Sequence, residues 1–545
     1  MKWMEPRPRP AAALLAALTL ACLLPFLGKA VHIDDPLFIW TARHIQSHPL
    51  DFYGFQINWD GRQRPMATVM QNPPLTAYYL AAAGSVLGWS ETALHFAFLL
   101  PAIALVMGTY FLGRKFCAHP CAAAAAVVAA PCFLVCATSL MCDTMMVAFW
   151  VWAAFFWIEG LEGRSFARLG LAALLLTACC LTKYFGLSLI ALLMVYSVAQ
   201  ERRIGPWLLF LCGPVLVLAG YQWMTQHLYG KGLLATAASY ATNQRVGGGL
   251  GSKTLSGLAF TGGCILLPLL AVPVAWGKRG VAAVLAGVAA TAGFLIFKRY
   301  VGFFPLSEGG NVKWLFVLQM AVFVLGGVAV LLLGMLDALM CRTPASLLLL
   351  LWAGGTFLFA SEVNWTVSGR NILPMVPPVA LLLIRHLESR QPLGGPGPIL
   401  FWVPLGVCLA VALMAARADW SLAGSARAAA LDITKELAPQ SRLIAFEGHW
   451  GFQYYMEQLG AKALDQGRPD LVPGEAVVVP LGNSYLFALP QEHIAAWHSY
   501  RFPAGNWLCL ASTAAGAGFY SDGWGPVPFV LQRTPFEEYV VFRIK

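Results

Sequence analysis

Charge is what this chain has least of. Asp, Glu, Lys and Arg make up only 11% of its 545 residues, against 59% hydrophobic residues. Soluble domains carry roughly 25% charged residues, so the composition excludes an ordinary water-soluble domain and leaves an integral membrane protein. No basic run with interleaved aromatics exists to go with the formal net charge of +10. The basic residues are scattered among short loops, which speaks against nucleic acid and for membrane orientation and anionic lipid phosphates. The thirteen cysteines form no CxxC or Cys/His ligand spacing. Cys132, Cys136, Cys179 and Cys180 lie inside apolar runs, as small packing residues do. P-loop and dinucleotide motifs are lacking, and so is an internal repeat of the kind an inverted-repeat transporter shows.

What is abundant is apolar length. A membrane helix needs ~20 mostly apolar residues, and that rule predicts thirteen spans: 11–29, 93–112, 121–138, 143–159, 167–182, 184–199, 206–225, 259–277, 281–297, 313–335, 345–361, 371–386 and 398–416. The first could be a cleaved signal peptide, but the many spans behind it favour a retained signal anchor. With the N-terminus placed in the cytoplasm, the connections on that side carry Arg114-Lys115, Arg164 and Arg168, Arg202-Arg203, Lys278-Arg279, Arg342, and Arg385 with Arg390. All are short and basic, as the positive-inside rule requires. The other face receives the long segments 30–92, 226–258, 298–312 and 362–370 and the tail from 417. The chain therefore divides into a membrane part, 1–416, and an extracytoplasmic part, 417–545. In the latter a helix over 423–438, a strand over 442–446, a helix over 449–459 and strands over 475–480 and 536–544 predict a small α/β domain.

Asp34 and Asp35 stand just past the first span, in His32-Ile33-Asp34-Asp35-Pro36-Leu37-Phe38-Ile39-Trp40. One Asp can cap a short helix while the other projects toward the bundle, and like-charge proximity raises one pKa, which suits a general base. Asp143 opens an apolar helix on the same face, where it serves equally as an N-cap or as a second acid that orients an acceptor or holds a metal. Lys183, the Lys298-Arg299 pair and Arg370 put cations at outer helix ends; a guanidinium suits phosphate because its planar fork donates two parallel hydrogen bonds. Gln71, Asn72 and Tyr78 belong to the loop Gln71-Asn72-Pro73-Pro74-Leu75 and the aromatic pair after it. Tyr240 and Arg245 precede the glycine run 246–251, which reads as a flexible loop or a hinged lid. His32 and His449 read as structural hydrogen-bond formers rather than ligands.

These motifs recur together in one family. The acidic pair after the first span, Pro-Pro-Leu-x-x-Tyr-Tyr at 73–79, the Asp opening the fourth span, Leu-Thr-Lys at 181–183 and Arg-Asn-Ile-Leu-Pro-Met-Val-Pro-Pro at 370–378 resemble the GT-C-fold glycosyltransferases of the family 39 type. That group includes protein O-mannosyltransferases and the bacterial enzymes that add aminoarabinose to lipid A. The resemblance covers about 1–416, and the span count and outer α/β domain are similar to the lipid A-modifying members. It implies a polyprenyl-phosphate sugar donor, transfer with inversion to a lipid, glycan or protein acceptor outside the plasma membrane, Asp34 as the leading base with Asp35 as the alternative, and Asp143 as a second acid. Lys183, Arg299 and Arg370, with Lys298 and Arg245, are the implied cations for the donor phosphate; a divalent metal stays open. A transporter or a related envelope glycan polymerase or ligase is the competing expectation, although charges at helix ends rather than at midplane favour interfacial chemistry.

Overall fold

The computed structural model describes residues 8–243, 250–390, 397–441, 443–467, 471–487, 492, 494–505 and 507–545. Among them ten helices are long and apolar enough to cross a membrane, or eleven if Pro120–Val128 and Pro131–Ala137, bent by 64° at their junction, form one broken span. This is a multi-pass helical membrane protein. Three of the thirteen expected spans fall short as single helices, 121–138 being this bent pair. Phe166–Thr182 has 17 residues, and the 259–277 stretch lies across the helices Leu250–Cys264 and Leu267–Leu270 and the start of Val272–Lys298. The basic connection expected at Lys278-Arg279 is a kink: Gly277 sits at φ 61°, where a side chain would be strained, and the helix resumes at once.

Helix pairing follows small residues. Gly262 of Leu250–Cys264 lies so close to Trp314–Cys341 that an added Cβ would collide with the Phe323 carbonyl, and one at Gly327 would collide with the Leu258 carbonyl. Glycine at both contacts lets the backbones approach, which replaces the hydrophobic driving force that lipid does not supply.

The ionisable residues collect at two levels. The Asp143–Glu162 helix, 20 residues and so about 30 Å long, has Asp143 at one end and Glu159 and Glu162 at the other. Lys115 bridges both glutamates, Arg168 donates to Glu159 at 2.7 Å, and Arg385 holds Asp337 at 2.9 Å in the same set of basic connections. The residues that alternation assigns to the opposite side, Asp34, Asp143, Lys183 and Arg370, meet at the other end.

Helix Gly397–Leu437 is continuous, so the span predicted at 398–416 and the helix predicted at 423–438 are one element that crosses residue 417. Beyond it, β1 (Ile444–Phe446), β2 (Lys462–Ala463), β3 (Ala476–Pro480), β4 (Ile494–Pro503) and β5 (Phe536–Ile544) form a sheet in the order β4-β5-β3-β1-β2. The pairs β1–β2 and β1–β3 are parallel, and β5 is antiparallel to both β3 and β4. Helix Trp450–Gln458 joins β1 to β2, the crossover a parallel pair needs. β3, Ala-Val-Val-Val-Pro, is buried throughout, as a strand covered on both faces must be. The hairpin 56–58/63–65 of the first long loop reaches this sheet: Asn58 Nδ2 donates to the Leu464 carbonyl at 3.0 Å, and Gln453 Nε2 to the Asn58 carbonyl at 2.6 Å.

Candidate active site

Pro36 at the start of helix Asp35–Ser47 sets the helical φ, and Asp34 occupies the N-cap position without a side-chain cap bond. The two aspartates therefore diverge. Asp35 is fully buried and fully engaged: Oδ1 accepts from Ser139 Oγ and the Leu140 N–H, both at 2.9 Å, and Oδ2 from the His32 N–H at 3.1 Å. Burial pushes its pKa up, partly offset by the Lys29 charge. Asp35 thus fastens the 138–142 turn to the start of its helix. Asp34, with 29% of its side chain exposed, accepts from Arg370 Nη1 at 2.8 Å.

The second acid lies beside the first. Lys183 Nζ donates to Asp143 Oδ1 at 2.6 Å and to Asn371 Oδ1 at 3.2 Å. Because Arg370 and Asn371 are consecutive, the Asp34–Arg370 and Asp143–Lys183 pairs share one short helix, Gly369–Ile372, capped by Ser368. Met141, in the turn that Asp35 fastens, lies against Arg370 Nη1. Two acids and two cations face each other at these helix ends; the third cationic site expected there, Lys298-Arg299, is not among them.

Residues 71–224 match the family model described as dolichyl-phosphate-mannose-protein mannosyltransferase. The matched stretch contains Asp143 and Lys183 but neither Asp34 nor Arg370, and it is less than half of the chain. No curated protein matches. Among solved structures, Cupriavidus metallidurans ArnT bound to undecaprenyl phosphate is 14% identical, with 87% of this chain and 92% of that chain covered and a TM-score of 0.45. The Archaeoglobus fulgidus oligosaccharyltransferase in its apo form is 13% identical, over 85% and 66% of the two chains, at 0.47. The arabinofuranosyltransferase AftD from Mycobacteria is 15% identical, over 99% and 40%, at 0.42. Likenesses at this level transfer no residue role and no substrate. Over residues 71–224 the chain is similar to a membrane mannosyltransferase family, in line with its motifs.

Other expected residues fall in different places. Lys298 and Arg299 are exposed at the end of their helix, Lys298 over the Phe294 ring, and neither pairs with Asp34 or Asp143. Arg245 and residues 246–249 of the glycine run lie outside the described residues. Gln71 donates to the Thr68 carbonyl, the Asn72 carbonyl accepts from Tyr53 Oη at 2.7 Å, and Tyr78 Oη donates to the Pro49 carbonyl. These three shape the 49–79 loop. The Tyr240 ring packs edge-on against Trp365, 5.8 Å between centroids, and burial pushes its pKa up to about 12, with smaller contributions from Tyr485 and the Asp34 charge.

Several partners were not singled out beforehand. Asp419, fully buried in the long helix, binds Lys29 and accepts from Tyr520 Oη at 2.7 Å; the Tyr520 ring lies 5.8 Å from the Arg370 guanidinium. Asp522 accepts from Thr366 Oγ1 at 2.6 Å and the Val367 N–H at 2.9 Å, and the Phe519 carbonyl accepts from the Gly369 N–H at 2.7 Å. The 519–522 turn thereby clips the loop that carries Arg370. Lys29 and Asp419, each just beyond or within an apolar run, were the available signal: an ionisable group there requires a partner. Among the described residues no three His, Cys, Asp or Glu side chains converge as a metal site.

Proposed function

We propose that the protein is a membrane glycosyltransferase that moves a sugar from a polyprenyl-phosphate donor to a hydroxyl or amine of a lipid, glycan or protein acceptor on the extracytoplasmic face, with inversion. The observation that carries this reading is the linked Asp34–Arg370 and Asp143–Lys183 pairs at the ends of membrane helices. The family match over Asp143 and Lys183 supports it, and so does the basic character of the opposite connections. Localisation in the plasma membrane of the cell envelope belongs to the same proposal.

The donor phosphate competes with the carboxylates for Arg370 and Lys183. Arg370 commits one nitrogen to Asp34, so its fork has donors left for phosphate oxygens. Phosphate binding loosens the Arg370–Asp34 pair and frees Asp34 for the acceptor. The acceptor O–H or N–H proton passes to an Asp34 oxygen, the freed electron pair forms the bond to the anomeric carbon, and the anomeric C–O(phosphate) bond breaks. That pair leaves on polyprenyl phosphate, whose charge Arg370 and Lys183 neutralise. Attack opposite the leaving group inverts the centre. Asp143 keeps Lys183 oriented. Asp35 is buried in its hydrogen bonds, which leaves Asp34 as the base.

Asp34→Asn keeps the shape but removes the base. Transfer from a labelled polyprenyl-phosphate sugar to membrane acceptors is expected to fall by about 10²–10⁴-fold at unchanged protein level. Undiminished transfer by the variant would sink the assignment. Mass spectrometry of lipid, glycan and protein fractions with and without the gene identifies the acceptor.

A further inference from the structure

A cavity of about 590 Å³ lies between the C-terminal sheet and the stretch His32–Ile33 that leads into Asp34. Its size is that of a small-molecule site. Asp34 and Arg370 do not line it, but two of its walls continue into residues beside them. Ile33 precedes Asp34 in the chain, and the 520–524 turn runs from Tyr520, over Arg370, to Trp524 in the cavity wall. Trp450, at the start of helix Trp450–Gln458, forms the adjoining wall, with its ring centroid 4.9 Å from that of Trp524 at 72°. Gly451 packs that helix so tightly on the Asp34 approach that an added Cβ would collide with the Val31 carbonyl.

Two features show that this wall is built rather than incidental. Ile33 at φ 45° and Trp450 at φ 65° are both left-handed, a costly conformation for a β-branched or bulky residue that persists where the surroundings over-determine it. Both face the same cavity. Its charge is equally distinctive: Arg501 is already paired to Glu538 at 2.8 Å, and Glu537 has no ion pair or hydrogen bond among the described residues. The lining is net acidic with half-buried indoles. Among the described residues the lining offers an anionic phosphate group no unpaired cation. A hydroxyl-rich ring satisfies Glu537 with O–H donors and lays its C–H face on tryptophan.

We propose that this cavity is the acceptor subsite and that it takes an uncharged saccharide, with Glu537 accepting from sugar hydroxyls and Trp450 and Trp524 stacking on the ring. The acceptor class is thus a neutral glycan rather than a phosphorylated lipid headgroup or a peptide. This rests on the transfer reading for its catalytic meaning, but binding is testable without transfer.

The test uses the full chain in nanodiscs and three probe sets: neutral tetrasaccharides of glucose, mannose, galactose, arabinose and N-acetylglucosamine; the 6-phosphates of glucose and glucosamine; and Ser/Thr-containing peptides. Binding is read by tryptophan fluorescence and calorimetry. At least one neutral saccharide is expected to bind saturably, with affinity reduced about tenfold or more in Glu537→Gln and in Trp524→Phe. Preference for a phosphorylated sugar or a peptide, binding insensitive to both cavity variants, or no binding across the neutral panel overturns the proposal. If Asp34→Asn binds normally and transfers normally, the catalytic reading fails while the subsite stands.

Discussion

Asp34 and Asp35 are chemically identical neighbours, and their surroundings give them different work. A carboxylate with three short hydrogen bonds and no exposure is a fastener; one with a single cation and partial exposure can exchange partners and take a proton. Asp35→Asn leaves one donor without an acceptor. It is expected to lower stability by about 1–3 kcal/mol, read as a drop in melting temperature in detergent, while residual transfer per folded molecule stays well above that of Asp34→Asn. Equal melting of wild type and variant would contradict the fastener role. The Asp143–Lys183 pair admits a cycle. Asp143 has only 3% of its side chain exposed, so Lys183→Ala strands a buried charge, a loss of about 3–5 kcal/mol. Lys183→Ala with Asp143→Ala is expected to melt above Lys183→Ala alone. Additive losses would show that the pair is not coupled. At this scale the acids, Lys183 and Arg370 were readable as types in the right places. Which aspartate is free was not, because the Ser139 and Leu140 donors that occupy Asp35 come from more than a hundred residues away.

At the scale of elements, the outer sheet holds a pH dependence. Burial pushes Glu447, which accepts from the Phe487 N–H at 2.8 Å, up to about 7, and Glu537 likewise to about 7. An acid whose pKa is raised in the fold above its ordinary value of about 4.3 stabilises the fold only in its protonated form. The contribution is whole below about pH 4 and drains away as pH rises through about 7. Amides of β1 and β3 are therefore expected to exchange more slowly at pH 5.5 than at pH 8 once intrinsic rates are removed, and Glu447→Gln should reduce the difference. Greater protection at pH 8 would reverse the sign and refute it. Helices and strands with strong periodicity, such as Trp450–Gln458 and β5, were legible locally. β4 was not, because its Ile-Ala-Ala-Trp-His-Ser run has no clean alternation and pairs only through β5. The continuity of Gly397–Leu437 also escaped, since the polar half keeps helical propensity and no breaker stops it.

For the whole molecule, the two levels of ion pairs define two faces, and one of them carries both the acids and the sheet; the proposal places that face outside. In a background with the exposed Cys212 and Cys341 replaced by Ser, an impermeant maleimide applied to intact cells should label Ser484→Cys and not Arg203→Cys. The reverse pattern would place the site in the cytoplasm. The 519–522 clip ties the C-terminal region to the loop that carries Arg370. Its main-chain bonds hold the Arg370 loop, and Asp419 and Tyr520 tie the long helix to the same arginine.

Composition and periodicity by themselves pointed to a chain that crosses a membrane many times, to which ends of the helices share a side, and to a side that bears acids and cations. These are properties of solvent: apolar length and charge placement answer to lipid and water before any tertiary contact forms. Only the tertiary structure decided that Asp34 is available and Asp35 is not, that Arg370 and Lys183 rather than Lys298 and Arg299 meet the acids, and that the C-terminal turn closes on the site. Those outcomes depend on distances of a few ångströms between segments far apart in sequence, set by how helices pack and not by what each residue prefers alone.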